Sequence, residues 1–164
     1  MFNLTQLTYL DLSANRLEGP LPTHVTGLQN LKAFRLADNL LTGGVPTWLF
    51  TLPSLESLDL RNNSLTGPIN QIQEGPLPTR VTGLQNLKAF SLADNLLTGG
   101  VPTWLFTLPS LEFLDLSNNS LTGPINQIQK PNSIQWVDLA DNDIHGEIPG
   151  SFFGLSKLTQ LNLS

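Results

Sequence analysis

The residues best suited to chemistry in this 164-residue chain are two aspartates, Asp115 and Asp138. Each stands between apolar neighbours, Leu114 and Leu116 for the first and Val137 and Leu139 for the second. That alternation marks a short strand with one buried face and turns both carboxylates to the other face. If the two strands are neighbours, the carboxylates lie one strand spacing apart, ~4.8 Å. The acid and nucleophile of a retaining glycosidase stand about 5 to 5.5 Å apart. The rest of such a site is missing, because a flat strand face offers neither a cleft nor exclusion of water. Charge spacing is the better reading. The position between the two strand aliphatics reads Asp11, Arg35, Asp59, Ser91, Asp115, Asp138 and Asn162 along the chain. Arg35 therefore falls between two aspartates and relieves like-charge repulsion across strands, which Ser91 does less well.

No other constellation supports catalysis or a cofactor. His24 and His145 are far apart and cysteine is absent, which argues against a histidine-based metal or nucleophile site. Gly43-Gly44 and Gly99-Gly100 lack the spacing of a phosphate loop. The chain is expected to be no enzyme and to need no cofactor or metal.

A second outward column, two residues before the first, reads Tyr9, Ala33, Ser57, Ala89, Phe113, Trp136 and Gln160. Phe113 and Trp136 are adjacent there. Exposed aromatics on a preformed surface are frequent anchors of interfaces, and the alternative is cross-strand stacking that only supports the ladder. The candidate ligand face is Tyr9, Arg35, Asp59, Phe113, Asp115, Trp136 and Asp138.

The elements that must present these columns are repeats. The stretch from Leu55 to Ile69, L-E-S-L-D-L-R-N-N-S-L-T-G-P-I, fits the pattern L-x-x-L-x-L-x-x-N-x-L. Related copies begin at Leu7, Leu31, Leu87, Leu111, Ile134 and Leu158, the last incomplete. The marker asparagines Asn15, Asn39, Asn63, Asn95, Asn119 and Asn142 are spaced by 24, 24, 32, 24 and 23 residues. Their amides are expected to satisfy backbone groups of neighbouring coils at a tight inward turn, a structural ladder and not a ligand site. Val45, Leu49 and Leu52 then predict a short helical turn that Pro53 ends. The expected fold is an α/β-type repeat solenoid over residues 1–164, about seven coils, with a parallel sheet on the concave face and short helical or extended convex returns.

Above the coil lies a larger repeat. Residues 18–73 and 74–129 are the same 56 residues twice, differing only at His24/Arg80, Arg35/Ser91, Ser57/Phe113 and Arg61/Ser117. The seam accounts for the one long interval: removing the eight residues 70–77, N-Q-I-Q-E-G-P-L, would restore a step of 24. Those residues are expected to form an irregular loop away from the concave face. Three of the differences fall on side chains that alternation turns to solvent, where a change disturbs no core.

A net charge of -5 and a pI near 4.7, with eight scattered basic residues, argue against a nucleic-acid partner. No apolar run approaches the ~20 residues of a membrane span, and Met1-Phe2-Asn3 leads straight into a repeat with no secretion signal. The absence of cysteine also suits an interior piece of a longer secreted protein.

The segments L-D-L-R-N-N-S-L-T-G-P from Leu58 and V-D-L-A-D-N-D-I-H-G-E-I-P from Val137 resemble the plant-type leucine-rich repeat L-x-L-S-x-N-x-L-x-G-x-I-P. The phrase V-P-T-W-L-F-T-L-P-S-L-E, at Val45 and again at Val101, is similar to ectodomains of plant receptor-like proteins and receptor-like kinases. The resemblance covers essentially the whole chain. It implies an extracellular superhelix at the plasma membrane, with a second small sheet beside the main ladder. It also implies a peptide or protein ligand, a co-receptor as further partner, and a part in signalling or defence. The family's paired-cysteine caps, membrane span and kinase domain are absent from the sequence. Two alternatives stay open: a non-functional truncated product of a duplicated receptor gene, and a secreted inhibitor of cell-wall-degrading enzymes. Asn3, Asn62, Asn118 and Asn162 head N-x-S/T triplets and are the glycosylation candidates.

Overall fold

The structure is a computed structural model that describes residues 4–69, 83–128 and 133–164. The expected loop at 70–77 and the candidate Asn3 lie outside the described residues.

Each coil opens with an apolar-x-apolar triplet, and the local result is a three-residue strand. In chain order the strands are β1 (Tyr9–Asp11), β2 (Glu18–Pro20), β3 (Ala33–Arg35), β4 (Leu40–Gly43), β5 (Ser57–Asp59) and β6 (Ser64–Pro68). They continue as β7 (Ala89–Ser91), β8 (Leu96–Gly99), β9 (Phe113–Asp115), β10 (Ser120–Gly123), β11 (Trp136–Asp138), β12 (Asp143–Ile144) and β13 (Gln160–Asn162). The odd-numbered strands form one seven-stranded parallel sheet in sequence order, and the even-numbered strands form a six-stranded sheet beside it. Every neighbour in either sheet is parallel, because the chain returns to its starting side once per coil.

The large sheet keeps one register throughout. Asp11, Arg35, Asp59, Ser91, Asp115, Asp138 and Asn162 are successive partners, and so are Tyr9, Ala33, Ser57, Ala89, Phe113, Trp136 and Gln160. The 32-residue step at the duplication seam leaves this ladder unbroken, since β5 pairs directly with β7 through Asp59 and Ser91.

The alternate residues point the other way, into a continuous interior. Leu31, Leu55, Leu87 and Leu111 have no exposed surface, and neither do Leu60, Phe90, Leu92, Leu114, Leu116 and Val137. Burying a side chain of this size contributes roughly 1.5–3 kcal/mol each. The two ends of the array are more open, with Leu12 and Leu17 exposed and Leu161 and Leu163 only partly buried.

The asparagine column turns the chain from the first sheet to the second. In Asn95 the amide nitrogen donates to the carbonyls of Leu60 (3.1 Å), Leu92 (3.1 Å) and Ala93 (3.0 Å), while its oxygen accepts from Leu65 N–H (2.9 Å). Asn39, Asn63, Asn119 and Asn142 donate across coils in the same way. Among the described residues the Asn15 side chain bonds only within its own coil, to the carbonyls of Leu12 and Ser13, and the residue is exposed. Just beyond the turn the backbone needs a left-handed residue: Gly99 has φ +80°, and a Cβ there would stand 3.2 Å from Pro68 Cβ.

The returns are short 3-10 helices, Thr47–Thr51, Thr103–Thr107 and Gly150–Gly154, each following a proline. The first ends before Leu52, which is already extended, so only part of the expected apolar triad is helical. Trp48 and Trp104 are partly buried in these returns. Trp48 Nε1 donates to the Pro22 carbonyl of the preceding coil (2.8 Å) and its ring meets Phe34 edge-on, while Trp104 meets Phe50 and Phe90. These rings clamp adjacent coils together on the side away from the large sheet.

Candidate functional site: the outer face of the large sheet

The large sheet is three residues deep, so its outer surface is made of two main columns and their flanks. On β9 and β11 the aromatic column is closed: Phe113 and Trp136 stack with ring centroids 4.2 Å apart and planes 4° from parallel. Phe113 is 36% exposed and Trp136 half-buried. The rings support each other across strands, and Phe113 keeps exposed surface beside the stack.

Asp115 and Asp138 are register partners beside this stack. Asp115 Oδ1 accepts from Ser117 N–H (3.1 Å) and Ser117 Oγ–H (2.7 Å). Its carboxyl is held above the ordinary aspartate value, first because partial burial disfavours the charged form, against the Ser117 hydrogen bonds, with Asp138 and Asp94 adding repulsion. Asp138 accepts from Ala140 N–H (2.9 Å) and Asn162 Nδ2 (3.1 Å). Among the described residues no cation pairs with either carboxylate. The two stand on an open strand face, and the described residues contain no group of three His, Cys, Asp or Glu that could hold a metal.

The other end of the sheet is self-neutralised. Arg35 Nη1 donates to Tyr9 Oη (3.0 Å), its guanidinium carbon lies 5.4 Å from the Tyr9 ring centroid, and Asp11 Oδ2 is 4.0 Å away. Arg35 thus leans onto β1 and does not bridge its two register neighbours evenly. Asp59 takes its cation from elsewhere, Arg61 Nε at 3.6 Å. Asp11 is held below the ordinary value, chiefly by the Ser13 backbone and side-chain hydrogen bonds and further by Tyr9 and Arg35. One residue further out, Glu56 lies between Lys32 (3.4 Å) and Lys88 (3.1 Å) and is also held low, first by its hydrogen bond with Lys88.

Sequence reasoning placed Ser91 at the surface, yet it is 7% exposed and its Oγ has no hydrogen-bond partner. It stands in register between Asp59 and Asp115, with the alanines Ala89 and Ala93 on its own strand segment. Alternation gives its direction correctly but not how deeply two longer neighbours would overshadow a short side chain. Ser117 and the Lys32, Glu56 and Lys88 row were also missed. Ser91 and Ser117 could have been found as positions where the duplicated halves differ.

Three sequon asparagines are described. Asn62 Nδ2 donates to Asp38 Oδ1 (2.7 Å) and Asn118 Nδ2 to Asp94 Oδ1 (2.6 Å), each from a left-handed turn with φ near +50°. Both are exposed beyond the strand ends, whereas Asn162 lies within β13.

The family profile described as leucine rich repeat matches residues 2–65 and 78–121, and a second of the same description matches residues 133–155. The chain belongs to the leucine-rich repeat family. Receptor-like protein 31 of Arabidopsis thaliana is 35% identical over 80 residues, covering 48% of this array and 9% of that protein. The solved Arabidopsis receptor kinase HAESA, in complex with the peptide hormone IDA and the co-receptor SERK1, superposes with a TM-score of 0.79 at 32% identity. That match covers 97% of this array and 26% of HAESA. A plant ice-binding protein superposes with a TM-score of 0.74 at 31% identity, over 98% of this array and 49% of that chain. The array is therefore a leucine-rich repeat solenoid of the plant receptor ectodomain type, spanning about a tenth of the curated relative it matches. Among the described residues no helix is long and apolar enough to cross a membrane.

Proposed function

We propose that this array is a non-enzymatic recognition module acting on the extracellular side of a plant plasma membrane, and that its large sheet binds a peptide or protein ligand. The observation that carries this is the stacked Phe113 and Trp136 pair, partly exposed on the parallel sheet and flanked by Asp115 and Asp138, which pair with no cation among the described residues. Preformed aromatic anchors beside charge are what interface hot spots are made of. The solved relative HAESA, in complex with a peptide hormone and a co-receptor, supports a peptide ligand and a co-receptor as second partner.

The test is hydrogen exchange on the array with a bound peptide selected from a random 12-residue display library. Protection concentrated on β5 to β11 is the expected result, with binding lost in Trp136→Ala. Protection confined to the 3-10 returns, or binding indifferent to Trp136→Ala, refutes the assignment.

A second reading rests on the small sheet. Thr42, Thr66, Thr98 and Thr122 occupy equivalent positions in four successive coils and all are exposed, a repeated hydroxyl on a parallel sheet, and one structural neighbour is a plant ice-binding protein. Inhibition of ice recrystallisation that disappears in Thr66→Val/Thr98→Val would favour it, and no inhibition by the unaltered array would remove it.

A further inference from the structure

The two duplicated halves are the same wherever coils hold one another from within, since none of their four differences falls on a core aliphatic or a ladder asparagine. Val137 of β11 is the register partner of Leu114, and Asn142 donates to Leu116 O and accepts from Leu121 N–H. The first half offers the same set in Leu58, Leu60 and Leu65, buried likewise. Leu10 of β1 pairs with Phe34, for which the second half has Phe90. Neither core nor ladder therefore decides which half belongs against which flank. Folding of such an array can begin in any coil and spread, and misassembly between like units is a characteristic failure of repeat proteins.

The outer face does distinguish the halves, at two positions. Arg35 of the first half reaches back onto β1, donating to Tyr9 Oη (3.0 Å) with Asp11 Oδ2 4.0 Å away, and both partners precede the duplication. Phe113 of the second half reaches forward onto β11 and stacks on Trp136, which lies beyond the duplication. Their counterparts sit on the strands that meet at the seam and make neither contact: Ser91 faces Asp59 and Asp115, and Ser57 faces Ala33 and Ala89. The third outward difference, Arg61 against Ser117, acts within a coil, on Asp59 in one half and on Asp115 in the other, and addresses neither flank. Both differences that reach another coil thus fall where a half meets a coil that is not duplicated, one on each side.

We infer that Arg35 and Phe113 are address residues, which fix the order in which two otherwise interchangeable halves stack between β1 and β11. The Phe113 and Trp136 stack biases β11 towards β9 over β5 by roughly two- to tenfold. The guanidinium on Tyr9 and Asp11 biases β1 towards β3 over β7 in the same way. The bias acts while coils choose partners during folding, and once the array is complete the packing of both halves holds it. It stands whether or not the sheet also binds a ligand.

The chain has no cysteine, so a pair of cysteines placed at surface positions reports one strand pairing. Gln135→Cys with Glu112→Cys reports β11 on β9, where the two backbones already share a hydrogen bond. Gln135→Cys with Glu56→Cys reports β11 on β5, three strand spacings away in the finished array, ~14 Å. The full chain is diluted out of urea and trapped at successive times with a short bismaleimide. The 112–135 link is expected to dominate from the earliest times. Exchanging the labels in Ser57→Phe/Phe113→Ser is expected to raise the early ratio of 56–135 to 112–135 links about tenfold. Trp136→Ala, which removes the stack and leaves the halves as they are, should raise it too, and decides alone if the exchanged chain does not fold. At the other flank, Arg35→Ser/Ser91→Arg should move early links from Thr8→Cys away from Lys32→Cys and towards Lys88→Cys. Ratios that stay at the parent values while these variants lose stability would overturn the inference and leave both contacts as ordinary packing.

Discussion

Asn95→Ala is expected to be the most damaging single polar truncation in the array, and its cost can be worked from the bonds it breaks. Asn95 is 7% exposed and makes four bonds at the turn between β7 and β8. The three carbonyls it serves each keep another donor: Asn63 Nδ2 on Leu60 O, Asn119 Nδ2 on Leu92 O and Asn62 N–H on Ala93 O. Their combined loss is therefore small, about 1 kcal/mol. Leu65 N–H is different, since it gives its one proton to Asn95 Oδ1 and belongs to a residue with no exposed surface. Leaving it without an acceptor costs ~1–3 kcal/mol. The sum is ~2–4 kcal/mol, from a position that touches no ligand. Asn15 is the internal control. It makes the same two bonds within its own coil but is exposed and sits at the end of the array, so Asn15→Ala should cost less than ~1 kcal/mol. Urea unfolding followed by tryptophan fluorescence and far-ultraviolet circular dichroism measures both. Because coils are held only by their neighbours, Asn95→Ala should also broaden the transition. A cost below ~1 kcal/mol for Asn95→Ala, or equal costs for the two variants, would refute the ladder as the bond system between coils.

Gly83→Ala should destabilise by ~1–3 kcal/mol or more, because its Cβ would meet the Phe50 carbonyl oxygen and lie 2.6–2.7 Å from Thr51 backbone carbons; a melting temperature unchanged from the parent would contradict that packing. Trp136→Ala should cost the fold ~0.5–1.5 kcal/mol for the lost stack and about 1–3 kcal/mol more for the buried part of the ring, while leaving the array folded and abolishing peptide binding on the large sheet, a split read by comparing unfolding with affinity. Asp115 has a raised carboxyl in the folded state, so the folded chain holds that proton more tightly than the unfolded one. Its contribution to stability is complete at acid pH and is lost as pH rises through the folded value, and Asp115→Asn should flatten that part of the curve of stability against pH. An unchanged slope would show that the burial of this group has been misjudged.

Much of the fold was legible in the residues. Period, strand triplets and inward leucines all follow from local sterics and from alternation, which act within a coil and repeat with it. The register of the two outward columns followed too, since equal coils stack equivalent residues side by side. What the sequence could not settle is whatever depends on the lengths of neighbouring side chains. It put Arg35 midway between Asp11 and Asp59, and the structure swings it onto Tyr9 while Arg61 takes Asp59. Ser91 appears in the chain as a surface serine, and its burial comes from strands β5 and β9, reached across 32 and 24 residues. Asn15 carries the same letter as Asn95 but has no preceding coil among the described residues to bond. A repeat determines what each position faces, inward or outward, because that is a property of one chain's backbone. How buried, how charged and how occupied each outward position is belongs to three strands at once, and only the tertiary structure brings those three together.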